Sequence, residues 1–203
     1  MDANVSSMWP VNSVYTAVVA TNPNTILGAG TWSLLSTSLP LRGFSPIMTL
    51  NTVPYGYTTT ASSEYSGTYP AYKASDANAA TLWTSTNGAA TATRWWLLRI
   101  PNTRVVTNYT IVTRADDVNN MPRNWTLNGS TDGSTWTTLD TQTMQTSWGA
   151  GTSRTYNFTN TNAYSYFNVT ITMANYAGTN NVGFGDIYFY EFVDPMYQWK
   201  RTA

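Results

Sequence analysis

AYSYFNVTITMAN occupies positions 163–175 of this 203-residue chain. Tyr164, Tyr166, Asn168, Thr170 and Thr172 fall on one side of an extended backbone, and Phe167, Val169, Ile171 and Met173 on the other. A repeat of two residues is the signature of a strand with one buried face. β-Branched and aromatic side chains, which suit a pleated surface, make up most of it.

Working outward, the same texture recurs. RWWLLRI (94–100), TNYTIVTRA (107–115), SRTYNFT (153–159) and FGDIYFYEF (184–192) are strand-like. NWTLNGSTDGSTWTTLDT (124–141) is two alternating runs about a Ser-Thr-Asp-Gly-Ser turn, a hairpin pattern. Long helices favour Ala, Leu, Glu and Lys, whereas this chain has two Lys and two Glu and is rich in Thr, Asn, Ser and aromatics. Short strands, close turns and no convincing helix predict an all-β fold, a β-sandwich or jelly roll. Trp83, Trp96, Trp125 and Trp136 sit in strand-like or core-adjacent positions and are expected to pack inside.

Composition excludes several chemistries. The chain has no Cys, so disulfides and thiolate metal sites are ruled out. With no His, the Ser-His-Asp triad, the HExxH metal helix and the usual neutral-pH proton shuttle are absent. Ten basic and ten acidic residues cancel, leaving no electrostatic footprint for nucleic acid or an anionic membrane. No apolar run approaches the ~20 residues of a membrane-spanning helix. MDANVSSMWPVNS (1–13) lacks the basic and apolar regions of a secretory signal. Asp116 and Asp117 are adjacent, so a strand would point them to opposite faces, and no pair of carboxylates suited to glycoside cleavage stands out. The expectation is a binding protein rather than an enzyme.

Three regions follow. Residues 1–53 change in texture, with one apolar β-like run from Val14 to Ala20, Gly28 to Gly30, Trp32, and prolines at 40, 46 and 54 as punctuation. So short a piece would struggle to bury its own core and is expected to pack on something else, copies of itself included. Residues 54–193 form the sandwich. After Asp194-Pro195, the tail 194–203 carries Met196, Tyr197 and Trp199, apolar surface expected to dock on this domain or a neighbour.

In order along the chain, ASSEY (61–65), KASDANAATLW (73–83), WWLLRI (95–100), TRADDVNN (113–120), NGSTDGSTW (128–136), YFNVTITMAN (166–175) and FGDIYFYE (184–191) resemble the discoidin, or coagulation-factor type C, family. Its bacterial and phage members include many carbohydrate-binding modules. The resemblance implies an eight-stranded jelly roll, in agreement with the independent strand count.

It also implies two sites. The Asp-Thr-Trp spacing of KASDANAATLW resembles a family loop that wraps one structural Ca²⁺. By position, Asp76 gives its side chain, Thr81 its hydroxyl or carbonyl, Lys73 and Asn78 carbonyls, and Asp186 stands for a closing Glu, meeting a hard cation's demand for oxygen. Ala77 replaces the usual Gly, which matters if that residue needs φ > 0. The simpler alternative is an Asx turn made by Asp76. The second implied site binds glycan at one end of the jelly roll, where planar side chains cover sugar rings and polar groups bond hydroxyls. Glu64 matches an early acid, and Arg114 with Asn119 or Asn120 a midway pair. The position of a family His is Thr84, which puts a galactose-type preference in doubt. Trp148 and Tyr176, in turn-rich stretches, are the candidate loop aromatics. Each has a plainer alternative: Arg114 paired with Asp116 or Asp117, and the aromatics covering a loop or contacting another subunit.

WPVNSVYTAVVATNPNTILGAGTWSLL (9–35) resembles a recurrent segment of phage tail fibre and baseplate proteins. The matching residues include Trp9, Pro10, Val11, Ser13, Tyr15, Thr21, Asn22, Pro23, Gly30, Thr31 and Trp32, with Asn12 in place of a common Gly. The resemblance implies attachment to a virion tail, often as a trimer. The expectation is a bacteriophage tail or baseplate protein that docks on other virion proteins and adheres to host-surface glycan. The rival expectation is a purely structural virion protein, a collar, fibre or decoration whose sandwich binds neighbouring virion proteins.

Overall fold

The computed structural model describes residues 11–12, 14–17, 23, 25, 30–38, 41–78, 80–89, 91–115, 118–175, 181–192 and 196–203. Along the chain the strands are β1 (Val14–Ala17), β2 (Trp32–Ser38), β3 (Leu41–Gly43), β4 (Thr58–Ala61), β5 (Trp83–Thr84), β6 (Arg94–Arg104), β7 (Val106–Val112), β8 (Pro122–Ser130) and β9 (Thr137–Gln142). They continue with β10 (Ser153–Asn157), β11 (Tyr164–Ala174), β12 (Gly183–Phe184), β13 (Ile187–Phe192) and β14 (Met196–Arg201).

The chain divides into two units, Met1–Arg42 with Phe192–Ala203, and Gly43–Glu191. In the first, β14 lies between β1 and β2 as the middle strand of a three-stranded antiparallel sheet, Val14 opposite Lys200 and Trp32 opposite Arg201. The C-terminal tail is thus the centre of the N-terminal sheet, and no β1–β2 hairpin forms. Trp32 is buried.

The larger unit is the expected all-β sandwich. One sheet runs β4-β6-β11-β8-β9, and the other has β7 between β10 and β13. Alternation decides what lies between them. β6 buries Trp96, Leu98 and Ile100, β8 buries Trp125 and Leu127, and β11 buries Phe167, Val169 and Ile171. Tyr109 and Ile111 of β7 and Ile187 and Phe189 of β13 meet them from the second sheet, with the Phe167 and Phe189 rings 5.2 Å apart. Each such side chain contributes about 1.5–3 kcal/mol by leaving water.

Two details depart from strict period two. A register shift between Tyr164 and Tyr166 turns Tyr164 inward, where it is buried against Gly129, while Tyr166 stays on the outer face. A bulge adds a residue and so inverts the facing of what precedes it. Trp136, expected in the core, is 38% exposed. It belongs to the turn before β9, outside the alternation, and lies edge-on to Tyr166 at 6.5 Å between ring centres.

Candidate functional site

The loop after the 3-10 turn Ala71–Ala74 is braced by its own side chains. Pro70, with φ −70°, leads into the turn, and the Trp96 indole donates to the Ala71 carbonyl at 2.8 Å. The Asp76 carboxylate then accepts the Asn78 amide at 3.1 Å and the Thr81 hydroxyl at 2.7 Å. The Thr81 amide returns to the Asn78 carbonyl at 2.9 Å. This is the Asx turn that the sequence left open, and Asp76 closes it.

A second carboxylate faces the same loop. Ala77 adopts φ +56° and donates its amide to Asp186 at 3.2 Å. Asp186 is 1% exposed, and burial together with the negative charge of Asp76 pushes its carboxyl up to about 6. Among the described residues no Lys or Arg forms an ion pair with it, and no three His, Cys, Asp or Glu cluster. The donors are therefore all oxygens: two carboxylates, one hydroxyl and loop carbonyls. That set fits a hard cation, which takes carbonyls and water alongside one or two carboxylates. The Lys73 ammonium turns away, to the Thr68 carbonyl at 3.0 Å.

The other sequence candidates are distributed as follows. Glu64 accepts the Ala71 amide at 2.7 Å and the Asn51 side chain at 3.3 Å, bracing two loops. Arg114 is buried, and its carbonyl accepts the Gly151 amide at 3.2 Å. Asn119 is exposed. Asn120 is half-buried, and its carbonyl accepts the Gly183 amide at 3.0 Å. Gly183 pairs with Thr84, whose carbonyl accepts the amide of Tyr65, next to Glu64. The fold thus gathers the loops of Glu64 and Asn120 on either side of Thr84. Asp116, Asp117 and Tyr176 lie outside the described residues.

Trp148 is a correction. It is 5% exposed, its indole donates to the Pro122 carbonyl at 3.1 Å, and it leans on Trp125. The Arg154 guanidinium lies 4.2 Å from its ring centre. Covered on both sides, it serves the core and has no face for a sugar.

Among the described residues Tyr65, 49% exposed, surfaces here edge to face with the half-buried Tyr69 at 6.1 Å. Beside them a cleft of about 270 Å³ is walled by Thr68, Tyr69, Lys73, Thr81 and Ala115. EYSGTYP (64–70), two Tyr around Ser-Gly-Thr, was the available sequence signal.

The F5/8 type C domain family matches residues 58–183. This chain belongs to that family. Solved structures agree at the level of fold. CBM32-3 from a family 31 glycoside hydrolase of Clostridium perfringens superimposes with TM-score 0.60 at 17% identity, over 70% of this chain and 94% of that one. The family 32 CBM from C. perfringens NanJ, in complex with galactose, gives 0.56 at 20%, over 67% and 94%. A fucolectin from striped bass (Morone saxatilis) serum gives 0.55 at 18%, over 67% and 47%. No curated protein matches the chain. The F5/8 type C match does not extend to residues 9–35.

Proposed function

We propose that this F5/8 type C domain binds glycan at the end of the sandwich that carries the Asp76 loop. The observation that carries the reading is the cleft beside Tyr65 and Tyr69, with the Lys73 side chain on its wall. Tyrosines offer a flat face and a hydroxyl, and an ammonium donates to sugar oxygens. Fold neighbours solved as galactose and GalNAc-β-1,3-galactose complexes support the choice of ligand class. In this reading the chain binds and does not cleave.

The wider role we propose is host adhesion by a bacteriophage tail or baseplate protein, with residues 1–53 attaching the chain to other virion proteins as a homo-oligomer, a trimer by preference. Multiple weak sites on one particle would raise avidity without new contacts. We also propose a structural Ca²⁺ held by Asp76, Thr81, Asp186 and the carbonyls of Lys73 and Asn78. Bound there, it would neutralise two carboxylates and fix the loop that forms one wall of the cleft.

One observation favours the rival role, a structural virion protein binding its neighbours. Glu64 and Trp148, two of the expected ligand groups, are turned to internal tasks, and Arg114 is buried. A glycan array probed with wild type, Tyr69→Ala and Lys73→Ala separates the two. Selective glycan binding lost in both variants supports adhesion at this cleft, and a blank array with wild type sinks it.

A further inference from the structure

The outer face of the five-stranded sheet holds a larger groove, of about 620 Å³, in a part of the domain that the loop cleft does not touch. Strand register places its parts. Leu97 of β6 stands opposite Asn168 of β11, which stands opposite Asn128 of β8, which stands opposite Thr138 of β9. One row along, Trp95, Thr170 and Thr126 stand side by side. The floor is a hydrogen-bonded ladder of neutral groups: Thr138 hydroxyl to Asn128 at 2.9 Å, Asn128 amide to Thr170 at 3.2 Å, and Thr170 hydroxyl to Asn168 at 2.6 Å. Trp95 and Leu97 form one side, and Trp136 with Gly133 the other.

The Trp136 wall is built rather than incidental. Asp132 accepts the amides of Ser134 at 2.7 Å and Thr135 at 2.8 Å, and the Ser130 hydroxyl accepts the Gly133 amide at 2.9 Å. Gly133, at φ +76°, lies so close to the Tyr166 ring that a Cβ would come within 3.2 Å of it. Tyr166 in turn carries Arg99 on its face, 5.9 Å from the ring centre. A partly exposed Trp is thereby held in one place at the groove edge, which lowers the ordering cost of binding.

We propose that this groove is a second binding site, for a neutral oligosaccharide. Its volume suits a small ligand. Two indoles present flat apolar surface to sugar rings, while amides and hydroxyls between them match ring hydroxyls as both donors and acceptors. Among the described residues no charged side chain lines it, so a phosphate or carboxylate ligand would find no partner there. A protein partner would call for an apolar centre, and here the centre is Asn and Thr. The site is independent of the loop cleft.

The test is an NMR titration of the full chain, following the Trp indole N–H signals, with cellotetraose, chitotetraose, maltotetraose and galactobiose as probes. Trp95 and Trp136 are assigned by Phe substitution. The expected result is that at least one sugar moves both signals and binds about tenfold more weakly to Trp136→Ala. Asn168→Ala, which leaves both indoles in place, weakens the same sugar. If none of the four sugars moves either signal at millimolar concentration, or if both variants bind as wild type does, the proposal is overturned. Loss of the Trp95 and Trp136 shifts in Lys73→Ala also overturns it, since binding would then reside at the loop cleft. Concentration-dependent dimers that Trp136→Ala breaks would overturn it too, by showing the face to be a contact between copies. Glycan binding that survives in the loop-cleft variants counts against the cleft and leaves this site standing.

Discussion

Ala77 holds a left-handed backbone, φ +56°, and from it directs its amide at the Asp186 carboxylate 3.2 Å away. Residues far apart in sequence are joined at a point where an L side chain is strained.

Replacing Ala77 by Gly relieves that strain. The left-handed region costs an L residue roughly 1–2 kcal/mol, and Gly gives back about 0.4–1 kcal/mol through the freer unfolded chain. Ala77→Gly is expected to gain up to about 1 kcal/mol, a rise in Tm of about 2–4 °C by calorimetry. A lower Tm would contradict the strained assignment.

The calcium proposal predicts a second thermal shift. Wild type should melt higher in calcium than in chelator, by about 2.7 kcal/mol when the ion is present at about a hundred times its Kd. Asp76→Asn and Asp186→Asn should each erase the difference. Identical wild-type melts with and without calcium would remove the ion from this loop.

Asp132 sets an acid limit on the hairpin that carries Trp136. The Thr135 and Ser134 amides and the Ser130 hydroxyl hold its carboxyl down to about 2, against about 3.9 in an unfolded chain. Between those values the unfolded chain binds more protons. The turn's contribution is therefore complete above pH ~4 and is lost as pH falls through about 2. Urea unfolding across that window should show a shallower loss of stability in Asp132→Ala than in wild type. Parallel curves would show that Asp132 does not stabilise the turn.

Tyr109 joins three strands through one oxygen, donating to Asp140 at 2.7 Å and accepting the Trp125 indole at 2.8 Å. Burial, with the Asp140 charge next, holds this phenol protonated far above its ordinary range. Tyr109→Phe leaves the Trp125 donor buried and unmatched, a loss of about 1–3 kcal/mol by denaturant titration. An unchanged midpoint would mean that the indole finds another acceptor.

The sandwich was legible because its evidence is local. Alternation in β6, β8 and β11 shows which side chains face inward before any partner is known, and Asp76-x-Asn78 and Ser130-x-Asp132-Gly133 announce their turns. The Asp76 turn was legible from neighbouring residues, whereas Asp186 was named only through the family resemblance. Asp76, Thr81 and Asn78 are neighbours in sequence, while the burial that raises Asp186 exists only once its strand is packed.

The sequence by itself determined an all-β sandwich, the inward faces of its regular strands and the hairpin turn at Ser130–Ser134, since these follow from a backbone period and from side chains bonding their own neighbours. Only the tertiary structure decided that Trp148 is sealed under Arg154 while Trp136 surfaces beside Tyr166, and that the C-terminal strand enters between β1 and β2. Exposure of an aromatic in a turn, and the partner of a terminal strand, depend on segments distant along the chain, and no local pattern carries that information.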